Sequence, residues 1–239
     1  MNLTFFMCAS SCGYYHTAFV SEDGRLFLCG NNDDRQLGRS TPPKSSGPLE
    51  VSMPDRVKMV ACGHQHTVVL TEKGDVYTCG KRAHHPIART SNHRKAQIDR
   101  IYSFVGRGDR GQLGLGPKLL AADNFELVGN LPKRSMDIAA GEAHTVVLGP
   151  RGDMYIFGDG KHGKLGSRTL SNEFEPCSME AFRSWHALKA ACGGCQTVVL
   201  GQARDTNGKS SLESDEDISS LYSLSFPGAS NSISFSLDR

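Results

Sequence analysis

One nine-residue phrase occurs four times in this chain of 239 residues. The copies begin at positions 12, 62, 140 and 192 and read CGYYHTAFV, CGHQHTVVL, AGEAHTVVL and CGGCQTVVL. Their spacings are 50, 78 and 52 residues, and removal of residues 81–106 from the middle interval restores a spacing of 52. Internal repeats with such a period indicate stacked copies of one small unit. The chain therefore divides into three units of about 50 residues, one of them interrupted, and the start of a fourth.

Each unit shows the same order of strand and turn signals. A β-rich run, such as residues 66–70, meets a polar turn that ends in glycine at residues 72–74, and a second run follows at 75–79. Two runs joined in this way form a hairpin. A loop with a Leu-Gly pair and a Pro-marked segment then lead to a further strand. About four short strands at this period are typical of a propeller blade, so the sequence predicts an all-β β-propeller.

Composition divides the chain further and limits its function. Residues 1–200 are predicted to form a partial propeller with an insertion at 81–106, and the Ser-rich residues 201–239 to form a disordered tail. Only residues 179–190 show a trace of helical periodicity. The 27 basic and 25 acidic side chains nearly balance, which disfavours bulk nucleic acid or an anionic membrane as the main partner. The longest apolar run is too short for membrane insertion.

Two recurring motifs invite a ligand, and their context favours a structural role. Residues 106–111 and 158–163 match the G-x-G-x-x-G fingerprint, but neither is followed by residues that can begin a useful helix, so tight turns are predicted. Cysteine and histidine recur four residues apart, which in a strand is roughly 13 Å and too far for one zinc ion. We predict instead that a repeated hydrogen bond within each blade is formed by His16, His66 and His144.

The remaining chemistry-bearing residues give no catalytic group. Cys192 and Cys195 have the spacing of a redox pair, but they begin a β-rich run where such a pair should cap a helix. The eight cysteines are predicted to be reduced core residues. The insertion is basic and could bind phosphate groups or act as a nuclear address, although a solvated loop is the interpretation we favour. The sequence therefore predicts no catalytic residue, no cofactor and no metal.

The repeated phrase, the Gly-ended hairpin and the Gly-x-Gly-x-x-Gly-x-Leu-Gly loop together resemble the regulator-of-chromosome-condensation repeat family. The resemblance covers about residues 8–200, interrupted by the insertion. Members of that family resemble one another as seven-bladed propellers, so the resemblance implies an incomplete ring of about four of seven blades. The phrases at 12–20, 157–166 and 191–195 are similar to one branch of the family, the retinitis pigmentosa GTPase regulators.

This resemblance implies a non-catalytic interaction scaffold in the cytoplasm, at the cilium, basal body or centrosome, that supports ciliary trafficking. Its partners would be ciliary trafficking proteins and small GTPases of the Rab or Arf-like class, with no specific nucleic acid. The alternative is guanine-nucleotide exchange on a small GTPase, although no matching β-hairpin wedge is identified. Loops on a rigid frame collect binding residues, and the charged loop residues are the candidates for partner binding: Asp33, Asp34, Asp109, Arg110, Asp159 and Lys161.

Overall fold

A computed structural model describes residues 6–40, 44–80, 110–167, 169–179 and 182–204, with the backbone of two later segments, 222–225 and 234–237. In these ranges, sixteen strands form four antiparallel sheets of four strands each. The described helical structure is one three-residue 3₁₀ turn, Lys161–Gly163. It is far shorter than the ~20 apolar residues that a membrane-spanning helix requires.

The strands pair in chain order within each sheet, so each sheet is a simple meander, which we call a blade. Blade 1 contains β1 (Met7–Cys12), β2 (His16–Ser21), β3 (Leu26–Asn31) and β4 (Lys44–Val51). Blade 2 contains β5 (Val57–Cys62), β6 (His66–Thr71), β7 (Val76–Gly80) and β8 (Ala122–Leu127). Blade 3 contains β9 (Asp137–Ala140), β10 (His144–Leu148), β11 (Met154–Gly158) and β12 (Glu173–Ser178). Blade 4 contains β13 (Trp185–Cys192), β14 (Thr197–Ala203), β15 (Tyr222–Ser225) and β16 (Ser234–Leu237).

The predicted all-β class is confirmed, and the interruption of the repeat falls between β7 and β8 of blade 2. The insertion at 81–106 itself lies outside the described residues. Blade 2 keeps the strand order of its neighbours.

Two segments differ from the prediction. The trace of helical periodicity at 179–190 is not a helix over its second half, because β13 begins at Trp185 and pairs with β14. In the predicted tail, β15 and β16 extend blade 4, whereas the other residues of 205–239 lie outside the described residues. The sequences YSLS and SFSL alternate serine with apolar residues. This period-2 pattern is typical of strands, so the sequence contained a signal for β15 and β16.

The hydrophobic cores lie between consecutive blades. Each of three clusters of buried side chains takes one face of a blade and the facing surface of the next. The first cluster, for example, joins Ala18 and Leu28 of blade 1 to Val60 and Val69 of blade 2. Burial of each such side chain contributes about 1.5–3 kcal/mol, which exceeds the ~1 kcal/mol of a single hydrogen bond. Apolar burial therefore supplies most of the stability, and the polar contacts fix how the blades align.

At one end of each blade, a turn glycine connects the β2–β3 type hairpin to the next blade. Gly24, Gly74 and Gly152 have φ of +80°, +86° and +69°, a region that favours glycine. Their carbonyl oxygens accept hydrogen bonds from the next blade or the segment leading into it, at 2.8 Å from Val57 N, 3.0 Å from Ser135 N and 3.1 Å from Ala187 N. The Gly-ended turn read from the sequence therefore also contributes an inter-blade contact.

At the opposite end, a histidine of each of the first three blades reaches a threonine of the next. The Nε2 atoms of His16, His66 and His144 lie 2.9, 3.1 and 3.0 Å from the Oγ1 atoms of Thr67, Thr145 and Thr197. The prediction that these histidines bond within their own blade was wrong. The repeat identifies which residue recurs but does not show which surface that residue faces, and the ring lies at the junction between blades.

The threonine hydroxyls determine which ring nitrogen of each histidine carries a hydrogen. Thr67, Thr145 and Thr197 donate to the backbone carbonyl oxygens of Gln36, Gln112 and Lys164, at 2.6, 2.8 and 2.7 Å. A hydroxyl has one hydrogen, so each histidine must donate from Nε2. Burial, with lesser contributions from His64 near His16 and Lys164 near His144, lowers the pKa of His16 and His144 to about 4. Both rings are therefore neutral at pH 7.

The turn glycine of blade 2 gives a first prediction. In Gly74→Ala, the new Cβ would meet the backbone of Arg134 and Ser135, whereas in Gly163→Ala it would meet no atom within 4 Å, at a φ of +69°. Both variants carry the strain of a positive φ, about 1 kcal/mol. We expect Gly74→Ala to lose at least about 2 kcal/mol more than Gly163→Ala in urea unfolding. Equal losses would show that the approach of the next blade is unimportant.

The buried histidines predict a specific acid sensitivity. Between pH 6.5 and 4 the unfolded chain binds a proton at position 144 and the folded chain does not, so the free energy of unfolding falls as the pH drops through this window. The lowered pKa of His144 accounts for about 3 kcal/mol of this fall in the free energy of unfolding. In His144→Gln, which copies Gln196 of the fourth phrase, we expect a correspondingly smaller loss between pH 7 and pH 4. Urea unfolding across this range measures it, and an identical pH dependence in both proteins would refute it.

Candidate protein-interaction face

Alternate connections of a meander lie at the same end of its sheet, so the repeated phrase and the variable loops meet at one end of each blade. We call this end the loop face. It is formed by the β1–β2 type turns and the described parts of the β3–β4 type loops: residues 13–15, 63–65, 141–143 and 193–196, and residues 32–40, 110–121 and 159–167. Five of the candidate residues chosen from the sequence belong to the described parts of these loops: Asp33, Asp34, Arg110, Asp159 and Lys161.

A glycine anchors the inner turn of each blade. Gly13, Gly63 and Gly141 donate their N–H groups to the carbonyl oxygens of the histidines three residues later, at 2.8, 2.9 and 2.9 Å. A Cβ at any of these glycines would collide with the ring of that histidine and with the carbonyl oxygen of the equivalent glycine in the next blade. The two middle residues of each turn, which vary between copies, are the ones that distinguish one blade's turn from another's.

These variable positions place three aromatic rings together on blades 1 and 2. The Tyr14 ring centroid lies 4.4 Å from those of Tyr15 and His64, and the Tyr15 and His64 centroids are 6.3 Å apart. Tyr14 is 64% exposed and Tyr15 is 58% exposed. Exposed tyrosines held by neighbouring rings resemble the residues that dominate the binding energy of protein interfaces. We call these three residues the aromatic cluster.

The loop of blade 1 that contains Asp33 and Asp34 begins beside this cluster. Asn31 donates its backbone N–H to the carbonyl oxygen of Tyr15 at 2.8 Å. The Asn31 side chain then holds Asp33, donating from Nδ2 to Asp33 Oδ2 and accepting from Asp33 N, both at 2.8 Å. Asp34 donates its N–H to Gln36 Oε1 at 3.0 Å. Two predicted binding residues therefore lie on an ordered loop next to exposed aromatic rings, with the Asp33 side chain exposed.

The loop of blade 3 is organised around a buried ion pair. Asp159 occupies the position of Asn31, and its N–H donates to Ala143 O at 2.8 Å. Lys164 Nζ donates to Asp159 Oδ2 at 2.6 Å, and Arg110 Nη1 of blade 2 lies 3.4 Å from the same oxygen. Burial alone would raise the pKa of Asp159, but the hydrogen bond and charge of Lys164, with Lys161 N and Arg110, lower it. Asp159 is therefore ionised at neutral pH.

The prediction that Asp159 contacts a partner directly does not agree with this geometry. Both Asp159 and Lys164 are only 2% exposed, so the carboxylate is occupied inside the protein. Arg110 is half-buried and partly committed to the same oxygen, whereas the Lys161 side chain is exposed. Asp109 lies outside the described residues. The structure thus brings Arg110 to Asp159 and leaves Asp33 and Lys161 accessible on separate loops.

Sequence reasoning missed the aromatic cluster and Lys164. The signal for the cluster was the pair of variable residues inside an otherwise repeated turn, because turn positions that differ between copies are free of the shared packing. Lys164 carried a weaker signal, since the equivalent residues of the other two loops are Gln36 and Gln112. A lysine in place of a buried glutamine requires a nearby carboxylate, and Asp159 supplies it.

The two motifs that invited enzyme chemistry have structural roles. Residues 158–163 form a tight turn with one 3₁₀ turn, Lys161–Gly163, so no longer helix follows to bind a dinucleotide phosphate. Burial raises the pKa of the Cys192 thiol to about 12. A thiol with a raised pKa is a poor nucleophile at neutral pH, which agrees with the structural interpretation of Cys192. Cys195 is exposed, as are Cys8, Cys12 and Cys177, so the prediction that all eight cysteines lie in the core was wrong.

Comparison with known proteins identifies the repeats. The profile of the regulator of chromosome condensation (RCC1) repeat matches residues 23–70 and 151–200. The human X-linked retinitis pigmentosa GTPase regulator is 37% identical over 220 residues, which cover 80% of this chain and 22% of that protein. The chain belongs to the RCC1 repeat family. The regulator of chromosome condensation of Xenopus laevis is 34% identical over 115 residues, covering 44% of this chain and 26% of the relative.

A solved structure with RCC1 repeats supports the same fold. Prp20p from Saccharomyces cerevisiae, described together with its binding properties to Gsp1p and histones, aligns with a TM-score of 0.63 at 19% identity. The alignment covers 84% of this chain and 45% of the yeast chain. The four blades therefore form an incomplete β-propeller of the RCC1 type, and the chain spans about a quarter or less of the sequence relatives named above.

The ion pair of the blade 3 loop gives a prediction that can be compared with the equivalent pair of blade 1. Lys164→Ala leaves Asp159 buried without its main partner, and we expect a loss of about 3–5 kcal/mol in the free energy of unfolding. Blade 1 has a neutral version of this pair, in which Gln36 Nε2 donates to Asn31 Oδ1 at 3.1 Å. The double variant Asp159→Asn/Lys164→Gln copies that pair and should recover most of the loss in urea unfolding. A double variant as unstable as Lys164→Ala would contradict this.

Proposed function

We propose that this chain is a non-catalytic protein-interaction module of a small-GTPase regulator, which acts in the cytoplasm at the cilium or basal body and supports intracellular transport. Its partners are small GTPases of the Rab or Arf-like class and ciliary trafficking proteins. The observation that carries the proposal is the aromatic cluster beside the Asp33–Asp34 loop on the loop face. Similarity to a retinitis pigmentosa GTPase regulator supports the partner class, and the binding properties of yeast Prp20p to Gsp1p support small-GTPase binding.

The geometry favours binding over chemistry. The aromatic cluster offers exposed, rigid rings that lose little entropy on binding, which is the property of interface anchors. His16 of the same blade is neutral and buried, and Asp159 of the blade 3 loop is held in an ion pair with Lys164. The loop face therefore provides contact area and charge.

Charge on the loop face would orient the partner. Asp33 and Asp34 place negative charge at the start of the blade 1 loop, ahead of Arg35 and Arg39, whereas Lys161 places positive charge on the blade 3 loop. Complementary charge raises the association rate more than it raises affinity. A partner with a basic patch over blade 1 and an apolar contact at Tyr14 and Tyr15 would fit this arrangement.

The test measures binding to purified Rab, Arf-like and Ran-type GTPases, each in GDP and GTP-analogue forms, by biolayer interferometry. Tyr14→Ala/Tyr15→Ala should weaken binding at least about tenfold, as expected for two interface anchors. Asp33→Lys/Asp34→Lys should lower the association rate, most strongly at low salt. Matched controls are Met136→Ala, which removes a 50% exposed side chain at the opposite end, and Glu72→Lys on the opposite turn.

The same proteins distinguish the alternative function. Release of a fluorescent nucleotide from each GTPase is followed with increasing amounts of the chain, because exchange activity appears as acceleration that saturates. Binding without acceleration supports the interaction module, whereas saturable acceleration supports guanine-nucleotide exchange and replaces the proposal. Binding that is unchanged in both loop-face variants, or equally reduced in the controls, would refute the loop face as the binding surface.

A further inference from the structure

A notch lies between the fourth strands of blades 2 and 3, away from the residues proposed above for GTPase binding. Its volume is about 200 Å³, and its lining includes Leu115 and Leu119 from the loop before β8, Glu126 of β8 and Glu175 of β12. A smaller recess of about 10 Å³ adjoins it, shares the two leucines and is lined in addition by Gln112. The linings of the recess and the notch have Gly114, Leu115 and Leu119 in common, whereas Gln112 lines the recess alone.

The size of the notch decides which class of ligand it suits. Pockets for small molecules and cofactors usually measure about 300–1,000 Å³ and enclose most of the ligand. A volume of about 200 Å³ is below that range but provides room for one long side chain. The notch is therefore suited to a single residue of another protein or peptide.

The lining combines apolar walls with unused hydrogen-bond acceptors. Leu119 is 45% exposed, so an apolar surface faces solvent here. Asn130 Nδ2 donates to Glu175 Oε2 at 3.2 Å, and neither Glu175 nor Glu126 has a lysine or arginine partner among the residues that the structure describes. Carboxylates with no cationic partner, one from each blade, favour a cation between them.

A buried side chain in the recess indicates the same ligand chemistry. Gln112 is 3% exposed, and its Oε1 atom has no hydrogen-bond donor. A buried acceptor without a donor costs about 1–3 kcal/mol, so a ligand that supplies an N–H group would remove this penalty. In blade 1 the equivalent atom, Gln36 Oε1, accepts the N–H of Asp34 at 3.0 Å. The unsatisfied acceptor is therefore a difference between two copies of the same loop.

We propose that the notch binds an arginine side chain from a basic segment of a partner protein. The aliphatic part of the arginine packs on Leu115 and Leu119, and the guanidinium group lies between Glu126 and Glu175. Arginine suits this lining better than lysine, because its five N–H donors spread over a plane and can bond both carboxylates and an amide oxygen. The site is distinct from the aromatic cluster, so a partner can bind to either one separately.

The test is an NMR titration of the full chain with three five-residue alanine peptides that carry arginine, citrulline or norleucine at the centre. Citrulline keeps the length and loses the charge, and norleucine keeps only an apolar stem. We expect the arginine peptide to shift the amide signals of Gly114, Leu119 and Asn130 in a saturable manner. The citrulline peptide should bind roughly fivefold more weakly, and the norleucine peptide more weakly still, since an exposed ion pair contributes up to about 1 kcal/mol.

Charge-removing variants locate the site. Glu126→Gln/Glu175→Gln should reduce affinity for the arginine peptide to about that of the citrulline peptide, because both substitutions preserve shape. Glu22→Gln removes one carboxylate from an exposed turn of blade 1 and should leave the affinity unchanged. Circular dichroism and urea unfolding verify that each variant folds, and the comparison of peptides on the unaltered protein does not depend on any variant.

Three results would overturn the proposal. The first is equal affinity for the three peptides, which would mean that the guanidinium is not recognised. The second is an equal loss of binding in Glu22→Gln, which would indicate general electrostatic attraction. The third is that the shifts map to the Asp33–Asp34 loop and leave the notch unaffected, which would place the arginine site on the blade 1 loop. Loss of GTPase binding in the loop-face variants would leave this titration unchanged, so the two proposals fail separately.

Discussion

The blades depend on one another because the buried faces of consecutive blades form shared cores. Leu28 and Val69, from adjacent blades, meet in the same cluster, and the other two junctions repeat this arrangement. Apolar contacts alone allow blades to slide, since they have little directional preference. The bond from His66 Nε2 to Thr145 Oγ1, and onward to the Gln112 carbonyl, is directional and completely buried. It fixes the alignment that the apolar core leaves open.

A fixed alignment determines where the loops can present their side chains. The histidine rings lie directly under the inner turns, and the glycines of those turns leave no space for a side chain. The turn residues beyond them are consequently held in place without taking part in the core, which explains why Tyr14 and Tyr15 can be both ordered and exposed. Binding surfaces of this kind lose little conformational entropy when a partner binds. The rigidity of the junctions therefore contributes to function through the loops.

The repeat made the fold predictable from the sequence, whereas the interactions between copies of the repeat were harder to predict. Period and turn chemistry predicted the hairpins and the position of the interruption, because both are local properties. The hydrogen-bond partner of His144 was assigned to the wrong blade. A repeat of about 50 residues looks the same in the sequence whether the histidine faces its own blade or the next blade. Asp159 was chosen as a surface charge because Lys164, five residues later, gave no sign in the sequence of folding back onto it. The strands at 222–225 and 234–237 had a readable alternation that the serine content obscured.

Each junction bonds to the backbone of a loop and not to its side chains. This explains how the loop surfaces can change while the fold is retained. Thr67, Thr145 and Thr197 donate to backbone carbonyl oxygens, so the side chains of Gln36, Gln112 and Lys164 are not needed for that bond. In blade 1 the position holds a neutral pair with Asn31, in blade 3 an ion pair with Asp159, and in blade 2 an acceptor with no donor. A carbonyl oxygen is present whatever the residue, so selection can alter loop charge and hydrogen-bonding capacity at little cost to blade alignment. Three copies of one loop can thereby acquire different binding preferences on a common frame.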